Sequence, residues 1–422
     1  MMPRPLVGDA VAGPHGGRTA RGPDGRIRVA VLGSTGSIGV SALGVIERHP
    51  ERFVVTVLAA NRSVDVLAAQ ARRHEPALVI VCDEDASGAR GMMHAPGPTR
   101  ATRWLLGRAN MIEAVAREDV DVVVNALVGF AGLEPSLGAL EAGKRLALAN
   151  KESLVAGGEL VGRALGAGGG ELVPIDSEHS AILQCLAGQP GGSVAKIVLT
   201  ASGGPFRGWS LDRLARARPS DALRHPTWDM GAKVTVDSAT LANKALEVIE
   251  AHFLYDVPYR NIEAVVHPQS IVHSLVEFVD GSVVAQLGFP TMELPILYAL
   301  TYPERAADAE LRTFDVVRSS PLTFERIDLE RFPLFGIGCE AGRSGGTAPA
   351  VFNAANEVAV AAFLADEIPF PAIGAVVEET LARIPGGQIE GLSAVLEADR
   401  EARRVAGELT LGRRPIGPGS KA

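Results

Sequence analysis

Three acidic residues in this 422-residue chain are the first candidates for chemistry. Asp176 and Glu178 stand two apart in the run Asp176-Ser177-Glu178-His179, directly after an apolar stretch at 172–175, and Glu247 lies further along in a segment rich in Ala, Leu and Val. On an extended chain, residues i and i+2 project to the same side. Two carboxylates held side by side repel unless a cation or a proton sits between them. With no matching cluster of His and Cys, such a set suits a hard, oxygen-preferring ion, Mg2+ or Mn2+. An Asp-x-Glu pair is also common with no ligand at all, so spacing alone leaves both readings open.

A second group of residues suits an anion. A strand at 197–200 empties into Ala201-Ser202-Gly203-Gly204-Pro205, where a hydroxyl and two glycines expose backbone N–H groups. Ser238, Asn243 and Lys244 add donors and a point charge for phosphate. Between them lies His225-Pro-Thr-Trp228-Asp-Met230-Gly231, a segment without periodicity that has the make-up of a loop closing over a ligand. A loop whose Trp packs into a core has the same composition.

A third group suits a dinucleotide. Gly33-x-x-Gly36-x-x-Gly39 sits between a strand and a helix, where glycines let a pyrophosphate approach the backbone and the helix N-terminus supplies partial positive charge. The next strand ends in Asn61-Arg62-Ser63, with no acid there to hold ribose hydroxyls and with Arg62 able to pair with a 2′-phosphate. This favours NADPH.

These groups need elements to carry them. Short apolar strands at 26–32, 53–60, 77–82 and 120–126 alternate with helical patterns, which implies a doubly wound parallel sheet. Further strands are expected at 146–148 and 172–175, then at 197–200, 264–267, 273–279 and 283–287. A single helix is expected over 238–254. Apolar residues cover most of its circumference, and Asn243, Glu247 and Glu250 form the remaining polar stripe. The fold class is therefore α/β: an N-terminal Rossmann-like parallel sheet, a central α+β catalytic domain and a C-terminal helical bundle. The expected divisions are a disordered tail (1–26), a nucleotide domain (27–175), a metal and substrate domain (176–301), a linker (302–330), a helical domain (331–412) and a disordered end (413–422).

Composition removes several function classes. A net charge of −8 and a pI near 5.7 argue against general nucleic-acid binding. No apolar run reaches the roughly 20 residues of a membrane helix. Cys82, Cys185 and Cys339 form no CxxC pair, so a zinc–thiolate site or disulfide framework is not expected and a reducing cytoplasm fits. Cys185 reads as a core residue.

The segments GSTGSIG (33–39), ANKES (149–153), IDSEHSA (175–181), LTASGGPF (199–206), HPTWDMG (225–231), VDSATLANKALEVIEAH (236–252), HPQSIVHS (267–274) and FNAANEVA (352–359) occur in that order. Together they resemble the 1-deoxy-D-xylulose 5-phosphate reductoisomerase family over most of the chain. The resemblance implies a homodimeric enzyme of non-mevalonate isoprenoid biosynthesis. Such an enzyme converts a sugar phosphate, 1-deoxy-D-xylulose 5-phosphate, to 2-C-methyl-D-erythritol 4-phosphate with NADPH and Mg2+ or Mn2+. Carried over by motif, Asp176, Glu178 and Glu247 match metal ligands, and Ser202, Ser238, Asn243 and Lys244 match phosphate contacts. Lys151 and Ser177 match residues near the reacting carbons, and His225, Trp228 and Met230 fall in a flexible flap. Thr35, Gly36, Ser37, Ile38, Asn150, Glu152 and Gly231 match cofactor contacts; Gly33 and the loop Asn61 to Ser63 align beside them. Lys151, Glu178 and Glu247 are the residues expected nearest to catalysis. Two departures stand out: Ala245 replaces a glycine found in many members, and Asp229 places a charge in the flap, where it is expected to point outward. The alternative is a simple NADP-dependent dehydrogenase that rearranges no carbon skeleton.

Overall fold

The structure, a computed structural model, describes residues 6–7, 21–92, 102–312 and 314–413. The tail expected at 1–26 falls mostly outside them, as does nearly all of the end expected at 413–422. The described residues divide into two compact units. One comprises Met1–Ser153, Val161–Gln189 and Thr291–Thr313; the other comprises Leu154–Leu160, Pro190–Pro290 and Phe314–Ala422.

The first unit is built on seven strands: β1 (Ile27–Leu32), β2 (Phe53–Ala60), β3 (Leu78–Val81), β4 (Arg103–Leu106), β5 (Val122–Asn125), β6 (Arg145–Leu148) and β7 (Glu171–Pro174). Their order is β4-β3-β2-β1-β5-β6-β7, and every pairing is parallel. The runs IRVAVL, LVIV and VVVN are continuous and apolar because both faces of such a sheet are covered. The strand order reverses at β1, with β2 on one side and β5 on the other, and that switch point places the loops after β1 and β5 at one crevice. Strand β4 was not among the expected strands. It is only four residues long, and its alternation is weak.

Three helices matter for the site. Helix α1 (Ser37–Arg48) follows β1, α2 (Lys151–Gly168) follows β6, and α3 (Ser177–Leu186) follows β7. Helix α2 is kinked at Gly157, whose φ/ψ of −134°/26° is not helical. Buried Arg145, at the start of β6, pairs with Glu171 at 2.5 Å and donates to the carbonyls of Leu300 and Tyr302. It thereby caps the C-terminus of the helix Glu293–Thr301, where a cation is favoured.

The second unit contains a mixed sheet of β8 (Val194–Ala201), β9 (Ile262–Val266), β10 (Val272–Phe278), β11 (Val283–Leu287) and the two-residue β12 (Glu325–Arg326), in the order β11-β10-β8-β9-β12. Strand β12 lies in the stretch read from sequence as a linker. The helix expected over 238–254 is two helices, α4 (Ala232–Thr240) and α5 (Ala242–Tyr255). The break is at Leu241, which takes a left-handed φ of 60° and serves as the end of one helix and the start of the next. Four more helices, α6 (Pro333–Ser344), α7 (Ala348–Leu364), α8 (Ala372–Arg383) and α9 (Leu392–Leu411), form the C-terminal bundle. No described helix is long and apolar enough to cross a membrane.

Ala245 faces α6 directly. A methyl added at Gly338 would stand 2.6 Å from the Ala245 Cβ and 2.6 Å from the Phe352 ring. The side chain gained on α5 is therefore accommodated by the glycine opposite. Overpacked cores typically lose about 1–3 kcal/mol, and Gly338→Ala should cost that much in urea unfolding. Adding Ala245→Gly to that variant should recover part of the loss; no recovery would mean that the two positions do not share the space.

Candidate active site

Every candidate residue of the first unit sits at the C-terminal edge of the parallel sheet. Gly33, Thr35, Gly36, Ser37 and Ile38 form the turn from β1 into α1. Gly33 has a φ of +77°, and a Cβ there would lie 2.4 Å from the Ala126 carbonyl, so only glycine lets the β1 and β5 loops meet so closely. Gly36 is the N-cap of α1, leaving the first N–H groups of that helix directed into the turn.

Asn61, Arg62 and Ser63 follow β2. Arg62 is 77% exposed and pairs with Asp83, just beyond β3; that pairing holds the Asp83 carboxyl below its ordinary range. The sequence reading placed no carboxylate at this corner. Asp83 supplies one from the neighbouring strand, and a 2′-phosphate on Arg62 would have to compete with it.

Asn150 and Glu152 are buried where β6 enters α2. The Asn150 side chain caps α2 by accepting from the Ser153 N–H. Its amide donates to the carbonyls of Leu127 and Gly129 and to Glu152. The same side chain thus starts a helix and holds the loop after β5. Asn125, which sequence reasoning did not single out, supports that loop from below by donating to the Gly132 carbonyl and Ser136.

Lys151 Nζ lies 2.5 Å from the Asp176 carboxylate, across the ends of β6 and β7. Asp176 is the N-cap of α3, and Ser177 and Glu178 are already in its first turn. The extended-chain argument for the Asp-x-Glu pair therefore does not hold, because the chain turns helical at Ser177. The Ser177 hydroxyl instead donates to Glu178 at 2.5 Å. Acidic groups in a first helical turn are favoured by the helix dipole.

The second unit carries the anion-directed residues. Ser202 follows β8, and its hydroxyl accepts from the Gly204 N–H. Gly204 has a φ of +65°, and a Cβ there would come within 2.5 Å of the Ser238 carbonyl, so this glycine lets the turn lie against α4. The His225 Nε2 stands 2.9 Å from Ser202 Oγ and 3.2 Å from Ser238 Oγ. Its Nδ1 accepts from the N–H groups of Thr227 and Trp228. A ring nitrogen that accepts carries no proton, so the proton belongs on Nε2, facing the two serines. His225 thus ties the flap to both hydroxyls. Trp228 meets His273 edge-on at 6.4 Å, Met230 is half-buried, Asp229 is exposed as expected, and Gly231 begins α4.

On α5, Lys244 and Glu247 are buried together, at 3% and 1% side-chain exposure, and form an ion pair. The Asn243 amide donates to the other Glu247 oxygen at 2.5 Å, leaving its own buried Oδ1 without a hydrogen-bond partner. None of the three cysteines is in a disulfide, and burial raises Cys82 to about 11 and Cys339 to about 12, so neither of these two is an activated nucleophile.

A doubly wound sheet with a glycine turn at its switch point, joined to a unit rich in buried acid, amide and lysine groups, defines a dinucleotide-dependent oxidoreductase with an appended catalytic unit. Comparison with known proteins narrows this class. Models described as 1-deoxy-D-xylulose 5-phosphate reductoisomerase, its C-terminal domain and DXP reductoisomerase C-terminal domain match residues 29–158, 172–255 and 287–405. A relative of that name from Symbiobacterium thermophilum is 53% identical over 90% of this chain and 98% of its own length. Another, from Gloeobacter violaceus, is 50% identical over 89% and 95%. The Zymomonas mobilis reductoisomerase, solved with NADPH, superposes with a TM-score of 0.84 at 41% identity, covering 91% of this chain and 99% of that one. A reductoisomerase solved with NADPH, fosmidomycin and magnesium gives 0.84 at 38% identity, covering 91% and 98%. The chain belongs to the 1-deoxy-D-xylulose 5-phosphate reductoisomerase family.

The flap histidine yields a pH prediction. Burial lowers the His225 pKa from 6.5 to about 4. An imidazole whose pKa falls on folding binds its proton less well folded than unfolded, so its contribution to stability is lost as pH drops from about 6.5 toward 4. Its ring signal in NMR should titrate near 4, and His225→Gln should flatten the stability profile across that window. A midpoint at or above 6.5 would contradict the geometry described.

Proposed function

We propose that this chain converts 1-deoxy-D-xylulose 5-phosphate to 2-C-methyl-D-erythritol 4-phosphate, using NADPH and a divalent metal ion. The observation that carries this reading is membership of one enzyme family along nine-tenths of the chain. A relative solved with NADPH, fosmidomycin and magnesium supports the choice of cofactors.

We assign the metal to Asp176, Glu178 and Glu247. The residues present fit a hard ion, since each offers oxygen and none offers sulfur. Asp176 and Glu247 each lie against a lysine within their own unit, so their surroundings accept positive charge. When bound, such an ion polarises a carbonyl and lowers the pKa of an adjacent hydroxyl, and NADPH supplies the hydride. The remaining work falls to the chain. Ser202, Ser238, Asn243 and Lys244 hold the phosphate, whose binding energy is available to orient the substrate because it lies away from the reacting carbons. His225, Trp228 and Met230 cover the ligand and exclude water. Lys151 and Ser177 hold the substrate oxygens near the reacting carbons, with Lys151 supplying positive charge. Gly33, Thr35, Gly36, Ser37, Ile38, Asn61, Arg62, Ser63, Asn150, Glu152 and Gly231 hold NADPH.

We place two copies of the chain in the working enzyme. Strand β11 is a sheet edge, and Val279, Val283 and Val284 are exposed along its hairpin, an apolar edge of the kind that pairing covers. Three cysteines outside any disulfide agree with a reducing cytoplasm.

NADPH oxidation should require both the sugar phosphate and Mn2+ or Mg2+, and EDTA should abolish it. Glu247→Gln should lower kcat by about 100-fold or more while leaving NADPH binding, followed by fluorescence, unchanged. Turnover in metal-stripped protein would remove the reading. Carbon-13 NMR should show a branched product; an unbranched one would indicate a dehydrogenase without rearrangement.

A further inference from the structure

Asp237 is a buried charge beside the phosphate residues that the chemistry above leaves without a task. It is 1% exposed and immediately precedes Ser238 on α4. Its Oδ1 accepts a hydrogen bond of 2.8 Å from Asn356 Nδ2, on α7 of the C-terminal bundle. Lys233 Nζ lies 2.9 Å from Oδ2, near enough for charge attraction but off the line of a good hydrogen bond. The directed bond on this carboxylate therefore comes from Asn356, itself 0% exposed.

Helix α7 is fixed in turn. Asn353, one turn before Asn356, donates to Glu357, and Glu357 pairs with Arg403 of α9, which also binds Asp399. At the other end, α4 is tied to the flap, since the Thr235 hydroxyl donates to the Met230 and Gly231 carbonyls. A hydrophobic contact between α4 and α7 would tolerate rotation about the α4 axis. A buried amide–carboxylate bond does not, because turning α4 would carry Lys233 along with Asp237 but strip the buried carboxylate of its hydrogen bond from Asn356, and losing a hydrogen bond to a buried charged group is costly. The rotation that is locked is the one that aims the Ser238 hydroxyl at His225 and sets the Leu241 break from which Asn243 and Lys244 project.

We propose that Asn356 is a positioning residue for the substrate phosphate, acting through Asp237 to fix the rotational setting of α4. The inference rests on the reductoisomerase reading of Ser238, Asn243 and Lys244. It gives the C-terminal bundle a direct part in substrate affinity, although neither Asn356 nor Asp237 is assigned contact with any ligand.

The test compares wild type, Asn356→Leu, Asn356→Asp and the exchanged pair Asp237→Asn/Asn356→Asp, with thermal unfolding of each as a check that it folds. Losing one hydrogen bond to a charged group should raise KM for the sugar phosphate about 10-fold in Asn356→Leu, and more in Asn356→Asp, where two acceptors face each other. KM for NADPH and kcat should stay within about threefold of wild type, since no transition-state contact is removed. The exchanged pair restores one donor and one acceptor and should return KM toward wild type. An unchanged sugar-phosphate KM in a folded Asn356→Leu would overturn the proposal, as would equal rises in both KM values, which mark general loosening. If the single variants do not fold, the exchanged pair decides: a KM near wild type supports the proposal, and a raised one overturns it. Absence of turnover in wild type is a separate result that overturns the functional reading and the proposal with it.

Discussion

The constraint that shapes the second unit is the burial of Glu247 with Lys244. An ion placed in a protein interior loses several kcal/mol of hydration, and only close countercharge and hydrogen bonds offset it. Both partners therefore have to arrive on one rigid element at helical spacing, with Asn243 beside them on the same face. That requires α5 to begin where it does, so the chain accepts a left-handed leucine at 241 instead of continuing α4. It also requires a cover. The α6 helix supplies one at Gly338, where the missing side chain admits the methyl of Ala245. Much of the unit can be read as the enclosure needed to keep these groups dry and aimed.

The first unit solves a different problem, the delivery of residues distant in sequence to one line. A parallel sheet does this through topology. Successive strands run the same way, so the ends of β1, β2, β5, β6 and β7 lie along a common edge, and whatever follows each strand is brought to it. Local polar bonds then refine the placement. Asn150 illustrates this economy, since a single side chain caps α2 and holds the loop after β5.

The features legible in the sequence were those with a local signal. The strands β1, β2 and β3 announce themselves by continuous β-branched runs, and the glycine turn after β1 by its spacing. The C-terminal helices follow from apolar periodicity. What was missed depends on contacts remote along the chain or on geometry that side-chain types do not encode. Among the described residues strand β4 pairs only with β3, and it has four residues to show for it. Asp83 meets Arg62 because two parallel strands end together, across 21 residues of sequence. The link from Asp237 to Asn356 spans 119 residues. The break at Leu241 is invisible because leucine is an ordinary helix former, and nothing in its type signals a left-handed φ. The extended chain assumed between Asp176 and Glu178 failed for a similar reason, since a helix begins between them, although a carboxylate oxygen of each still lies within 4.8 Å of the other.

The chemical silence of the thiols has a practical consequence for watching this molecule move. Cys185 and Cys339 are buried, and burial keeps Cys82 and Cys339 almost wholly protonated near neutral pH. Electrophilic dyes and spin labels should find little background reaction in the folded protein. A cysteine introduced at exposed Asp229, in the middle of the loop that His225 anchors, would then carry a probe of its own. Loop opening and closing could be followed spectroscopically in an otherwise native sequence, with no resident cysteine first removed.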